Sequence, residues 1–313
     1  MISRRLLRIK ILQSVYSYRK SEAQNFVTSY KEFEHSITKS YELYLALLLF
    51  LTELKHFSLI RIDQIKNRVI KDENEWNRLV RFSENKVFVQ LEQNPQFQTL
   101  IKNHKVSWAN QSVLIKEIFN QIIQSDIYAS YLEDEDSYAA DNKFVRRILH
   151  DIILQSELMF QFIEETSIYW NDEVDYIISI VEKTIKQFKE SKVSGGEIYP
   201  VMKDDEVKNF AKSLFTETIN KWSDYNIYID AKLKNWEQER VAEIDVILLQ
   251  IAITEAILFS EIPLKATLNE YIELAKWYST DKSNIFVNGI LHSIFETLQS
   301  QKVIIKKGRG LIS

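Results

Sequence analysis

The chain has 313 residues, 45% of them hydrophobic, with 40 basic and 44 acidic side chains and a formal net charge of −4. That is enough for one large or two ordinary domains with a sizeable core, and it excludes a generic polyanion binder. With no Cys, 5 Gly and 3 Pro, disulfides, thiolate ligands and thiol nucleophiles are absent, and long helices are favoured over turn-rich β architectures.

The charge is unevenly placed. Arg4, Arg5, Arg8, Lys10, Arg19 and Lys20 precede the first acid, Glu22, and Lys302, Lys306, Lys307 and Arg309 lie in the basic tail. A mildly acidic body with two basic ends implies a local electrostatic footprint. Polar Gln13-Ser14 follows the first cations, with no long apolar core or small-residue cleavage site, which fits a signal peptide poorly. The longest apolar run, Leu43 to Leu51, is too short for a span of ~20 residues and reads as a buried helix. A cytoplasmic protein with no membrane segment is expected.

Residues 3 to 20 read as a helix, with Ile9, Leu12 and Tyr16 on one stripe and Ile11, Val15 and Tyr18 on the next. Arg4 and Arg8 are one turn apart with Arg5 beside them, and the same wedge continues as Leu12 and Val15. This predicts a helix whose first turns project beyond the core, although arginines on an ordinary solvated helix end give the same pattern. A second long helix is expected from Phe26 to about Lys55, and an amphipathic pattern of Ile62, Ile65, Val69 and Ile70 within 60–76. From Asn94-Pro95 to Asn110 the pattern breaks and reads as mostly loop with short helical pieces. Helices follow over Val113–Tyr131, Phe144–Phe162 and Glu173–Glu190, with the acidic cluster 133–136 a solvated loop between the first two. Ser194-Gly195-Gly196 and Pro200 form the clearest break. Asp204-Asp205-Glu206 then opens a helix with acids in its first turn.

The segment Ile244–Phe259 is apolar almost all round, the pattern of a helix buried on most sides, and Glu255 within it calls for a partner. Pro263 ends the turn before a helix over Lys265–Tyr278, and the last helix runs from Ser283 to about Gln301. Ser283 and Asn284 are suited to cap its start and leave backbone N–H groups for an anion. Gly289 sits mid-helix, where it costs roughly 1 kcal/mol relative to Ala; the usual compensation is the close approach of another backbone or a ligand.

Enzyme motifs are missing. None of the five His has another at metal-binding spacing, and no P-loop, dinucleotide fingerprint or nucleophile elbow occurs. No catalytic residue, metal site or cofactor is expected. RNA recognition requires cations for phosphates and flat side chains for stacking. Arg4, Arg5, Arg8, Tyr16 and Tyr18 at one end and Ser283, Asn284 and Phe286 at the other supply both types, although spacing alone places the three aromatic rings in the core.

A set of ordered motifs shifts that balance. The stretch from Arg240-Val241-Ala242-Glu243-Ile244-Asp245 to Thr254-Glu255, then Leu268-Asn269-Glu270-Tyr271-Ile272-Glu273-Leu274-Ala275-Lys276, then Ser283 and Phe286-Val287-Asn288-Gly289-Ile290-Leu291, resembles the C-terminal helices of the NusB family. Arg4-Arg5, Arg8, Gln13 and Tyr16-Ser17-Tyr18 resemble its arginine-rich first helix. The resemblance covers about residues 3–20 and 204–300. Gln250 stands where the family usually has Arg, and Lys282 where an Asp is common before the Ser.

The resemblance implies an all-α, NusB-like helical bundle enlarged by an inserted helical region. The expected organisation is a first helix in 1–30, an insertion of unknown role in 31–195, a C-terminal helical domain in 196–300 and a basic tail in 301–313. It also implies a non-catalytic antitermination factor that acts with NusE, a ribosomal small-subunit protein, and the transcription elongation complex on boxA-type single-stranded RNA of ribosomal RNA transcripts. In that reading Arg4, Arg5 and Arg8 neutralise phosphates, Tyr16, Tyr18 and Phe286 contact bases or sugar, and Lys282, Ser283 and Asn284 hold a phosphate or base edge. The alternative is a non-catalytic protein–protein adaptor in transcription or ribosome assembly. A fused RNA methyltransferase requires a cofactor domain with a glycine-rich loop, which is missing.

Overall fold

A computed structural model describes residues 2–69, 72–233 and 241–311. Ile70 and Arg240, invoked above, lie outside the described residues. The described chain is helical throughout, with no β-strand, and divides into two compact units: residues 38–201, and residues 2–37 together with 202–313. The helices in chain order are α1 (Arg4–Lys20), α2 (Phe26–Lys66), α3 (Glu73–Ser83), α4 (Lys86–Glu92), α5 (Pro95–His104), α6 (Ser112–Gln124), α7 (Asp126–Glu133), α8 (Tyr138–Ile148), α9 (Glu157–Thr166), α10 (Val174–Gln187), α11 (Asp205–Asn220), α12 (Trp222–Leu233), α13 (Glu243–Leu258), α14 (Leu264–Tyr278) and α15 (Ser283–Ser300). The boundary at 37/38 falls inside α2.

In the unit of residues 38–201, α2 contributes a buried run that includes Leu47, Leu48, Phe50, Leu51 and Leu54. Tyr44, also buried there, has its hydroxyl paired with that of Thr184 at 2.8 Å. By length and composition α2 could cross a membrane, but 61% of its most apolar window is buried inside the protein, the profile of a core helix. Around it the short helices are individually capped. Asp72, Asn85, Asn94, Ser125, Ser137 and Ser156 each accept a backbone N–H from the first turn that follows.

These caps explain several differences from the expected elements. Asn94 with Pro95 at the first helical position starts a ten-residue helix in the stretch expected to be mostly loop with short helical pieces. Ser125 splits the expected Val113–Tyr131 helix into α6 and α7. The expected Phe144–Phe162 helix is three pieces: α8 ends in a π-helical turn, Leu149–Ile153, and Ser156 then caps α9. An aromatic cluster of Phe82, Phe119, Tyr128, Tyr131 and Phe144 joins α3, α6, α7 and α8, with Tyr131 stacked on Phe144 at 4.1 Å. The Gly195-Gly196 break is an ordered loop. Asn94 Nδ2 donates to the carbonyls of Ser194 (2.9 Å) and Gly196 (2.8 Å), and Gln96 exchanges two hydrogen bonds with the Ile198 backbone.

In the other unit α13 is the central element. Residues Ile247 to Ala256 are all buried, as the apolar run predicts. Helices α1, α11, α12, α14 and α15 pack against it. The start of α2 adds Phe33, stacked on Phe215 of α11 at 4.8 Å. Helix α12, which the sequence pattern did not separate, supplies acceptors for buried Gln250, whose Nε2 donates to Trp222 O (3.1 Å) and Asn226 Oδ1 (3.3 Å).

Candidate nucleic-acid interface

Ser3 caps α1 by accepting the Leu6 N–H at 3.3 Å, and the helix then enters the core at once. Ile2, Leu6, Leu7, Arg8 and Lys10 are all buried. The expectation that the first turns project beyond the core is therefore corrected. The cause is Glu255, fully buried in α13. Its carboxylate receives Arg8 Nε at 2.7 Å and Arg8 Nη2 at 2.8 Å, with Thr267 Oγ1 at 2.9 Å and Tyr271 Oη at 2.9 Å completing it. Two buried charges meet with bidentate geometry and every carboxylate lone pair engaged, the condition under which a buried pair is tolerated. Burial alone would lower the Arg8 pKa, but the charge and hydrogen bonds of Glu255 outweigh it and hold the guanidinium above the ordinary arginine value. The expected phosphate role of Arg8 is corrected on this geometry: the side chain is enclosed and already paired. The arginine cluster is visible in the sequence, and the interrupting Glu255 is the signal for where one of its members goes.

The remaining predicted residues fall into three places. Arg4 is half-buried, lies 5.2 Å over the Phe210 ring and pairs with Glu206. Arg5 is exposed. Steps of three or four residues from it lead through Ile9, Gln13, Tyr16 and Lys20, none of them buried, so one side of α1 is a solvent-facing ridge that begins and ends with a cation. Tyr16 is 38% exposed, and the Lys20 ammonium lies 5.7 Å from its ring. Tyr18 is two residues on, about 200° around the helix at 3.6 residues per turn. It lies off the ridge that carries Tyr16, on the separate stripe where the sequence pattern puts it.

At the start of α15, Ser283 is the first helical residue and is buried; Lys282 occupies the cap position without a capping side-chain bond. The Ser283 hydroxyl donates to Asp245 Oδ2 at 2.8 Å and accepts from the Thr280 N–H at 3.2 Å. Its expected roles as cap and RNA contact are corrected: it ties the turn before α15 to the start of α13. Lys282 is exposed, and Asn284 and Phe286 are half-buried. Gly289 is exposed, and a Cβ there would meet nothing within 4 Å, so no described backbone approaches it.

The two predicted clusters do not form one compact patch. Lys20 pairs with Glu243 at the start of α13 and Arg8 with Glu255 near its end, so α1 runs antiparallel to α13. Ser283 sits on Asp245 at the start. Ten helical steps along α13 separate Asp245 from Glu255, about 15 Å at 1.5 Å per residue. The Tyr16–Lys20 end of the ridge and the start of α15 thus lie at one end of α13, and Arg4 at the other. No group of three or more metal-ligating side chains occurs among the described residues.

The model of the NusB family matches residues 179–296. The transcription antitermination protein NusB of Salinibacter ruber is 42% identical over 113 residues, 36% of this chain and 71% of that protein. Those of Chloroherpeton thalassium and Natranaerobius thermophilus are 40% and 32% identical over 129 and 99 residues, covering 41% and 30% of this chain and 61% and 71% of theirs. No solved structure matches the chain.

Proposed function

The chain belongs to the NusB family, and from that premise we propose that it is a cytoplasmic, non-catalytic antitermination factor that binds boxA-type single-stranded RNA with NusE in the transcription elongation complex. The observation that carries the reading is the solvent-facing ridge of α1. Arg5, and Lys20 once released from Glu243, bracket Gln13 and the exposed Tyr16 ring, which combines phosphate-neutralising cations with a stacking platform on one helix face. Arg4 adds a cation at the first end, once released from Glu206. Lys282, Asn284 and Phe286 add a cation, an amide and a ring at the other. Arg8 and Ser283 serve this surface from inside, by fixing α1 and the α14–α15 turn to α13. Tyr18 is assigned no contact on this ridge.

Residues 38–178, which precede the family match, are proposed as the insertion that distinguishes this chain from shorter relatives. Titrating a boxA-type oligonucleotide against one of unrelated sequence, with and without NusE, tests the reading. Preferential binding of the boxA-type RNA, tightened by NusE, is expected. Equal binding of both, or none, contradicts it and leaves the protein–protein adaptor.

A further inference from the structure

Tryptophan is large and on average highly buried, and four of the described tryptophans follow that rule. Trp108 and Trp170 are buried, and their indole N–H groups donate to Ala46 O at 2.9 Å and Lys39 O at 2.8 Å. Trp76 and Trp222 are half-buried, each under a cation: Lys66 Nζ lies 5.1 Å and the Arg19 guanidinium 4.5 Å from the ring centre. Trp277, in the last turn of α14, is 75% exposed. Among the described residues its indole has no hydrogen bond, ring contact or cation partner.

The bonds at the end of α14 place this ring. Trp277 is two residues before Ser279, whose Oγ lies 3.0 Å from Ser283 Oγ, and Ser283 in turn sits on Asp245 at the start of α13. Thr267 and Tyr271, earlier in α14, reach Glu255 near the end of α13, so α14 runs antiparallel to α13, as α1 does. The exposed rings of Tyr16 and Trp277 therefore belong to the same end of the unit, on two helices that run in the same direction. Glu273 is one turn before Trp277 on the same face of α14. Its carboxyl is held below the ordinary glutamate value first by the Lys276 hydrogen bond and further by the charge of Arg5, so this face lies within electrostatic reach of the α1 ridge. The charges beside the ring cancel: Lys276 pairs with Glu273, and exposed Lys282 is accompanied by exposed Asp281. The site has no surplus charge with which to hold a phosphate. What it offers is an uncovered π-face.

We infer that Trp277 is a second stacking platform, which takes an unpaired base of the RNA strand that meets Tyr16, so that the strand crosses from α1 to α14 at the start of α13. This rests on the RNA-binding reading above. Every base has a π-face, so an accessible indole fits a single strand without a sequence-specific contact. The surroundings favour a base over a protein partner. The core of a protein–protein interface is depleted in Lys and Glu, and Trp277 has Glu273 and Lys276 beside it.

The test measures binding of a boxA-type RNA oligonucleotide to the full chain, Trp277→Ala and Trp277→Phe between about 50 and 200 mM salt, with and without NusE, and thermal melts of all three. Losing one base–aromatic stack weakens binding about 5- to 150-fold. Trp277→Ala is expected to melt like the wild type and to bind more weakly by that factor at an unchanged salt slope. Trp277→Phe keeps a ring and is expected to lose less. Wild-type affinity in Trp277→Ala overturns the inference and leaves the function standing. So does a loss in Trp277→Phe as large as that in Trp277→Ala, or a loss seen only when NusE is present, which would assign the ring to a protein contact. If the wild type itself binds no RNA, the functional reading falls and the inference with it.

Discussion

Replacing Arg8 by Met tests the division between residues that hold the interface and residues that form it. The substitution keeps a long side chain but removes two of the four hydrogen bonds on Glu255 and the cation that compensates its charge. Only Thr267 and Tyr271 remain, each giving one bond to a different oxygen of a carboxylate with no exposed surface. Removing one partner of a buried pair costs about 3–5 kcal/mol, a large share of a stability that is typically about 5–15 kcal/mol. Glu255→Gln in the same chain removes the stranded charge while keeping an acceptor and a donor, so R8M/E255Q should recover a coupling energy of about 2–3 kcal/mol. Urea unfolding of the wild type, both single variants and the double variant measures each term. Under conditions where R8M is folded, its RNA affinity should keep the wild-type salt slope. If R8M instead loses less than about 1 kcal/mol of stability and its salt slope flattens by about 0.7, Arg8 is a phosphate contact and the reasoning is refuted.

Other consequences follow from single sites. Gly289→Ala places a methyl group in open space and should stabilise α15 by up to about 1 kcal/mol; a lower melting temperature would mean that the backbone there is held by something the empty surroundings do not explain. In the unit of residues 38–201, a hydrogen bond from Arg61 and a second from Arg68 hold the Glu75 carboxyl below the ordinary glutamate value. A depressed carboxylate stabilises the fold above the unfolded pKa and loses that contribution as pH falls through the folded one. Glu75→Gln should therefore lower the melting temperature at pH 7 and match the wild type near pH 3; a constant difference at both pH values counts against the assignment.

The parts of the fold that were legible are those where one segment carries its own signal. The apolar run of α13, the turn at Pro263 and the acids opening α11 each specify an element locally. Glu255 was also legible as a group in need of a partner. Its partner was not, because Arg8 is 247 positions away in sequence and an arginine near a helix start reads first as solvated. The same limit applies to Ser283, whose hydroxyl looks like a cap until Asp245 is placed beside it. Short caps such as Ser125 and Ser156 are ordinary serines in a helical pattern and declare themselves only through the bonds they make.

The central claim is that the RNA surface is the outward ridge of α1, with Arg5 and Tyr16 in contact and Arg8 holding the helix from within. Fluorescence anisotropy of a boxA-type RNA between 50 and 200 mM salt, for the wild type, Arg5→Ala and Tyr16→Ala, tests it most directly. The account predicts a steep salt dependence for the wild type and a slope flatter by about 0.7 in Arg5→Ala. It predicts an affinity loss of about 1–3 kcal/mol at unchanged slope in Tyr16→Ala. Binding curves for both variants that overlay the wild type at every salt concentration would contradict it.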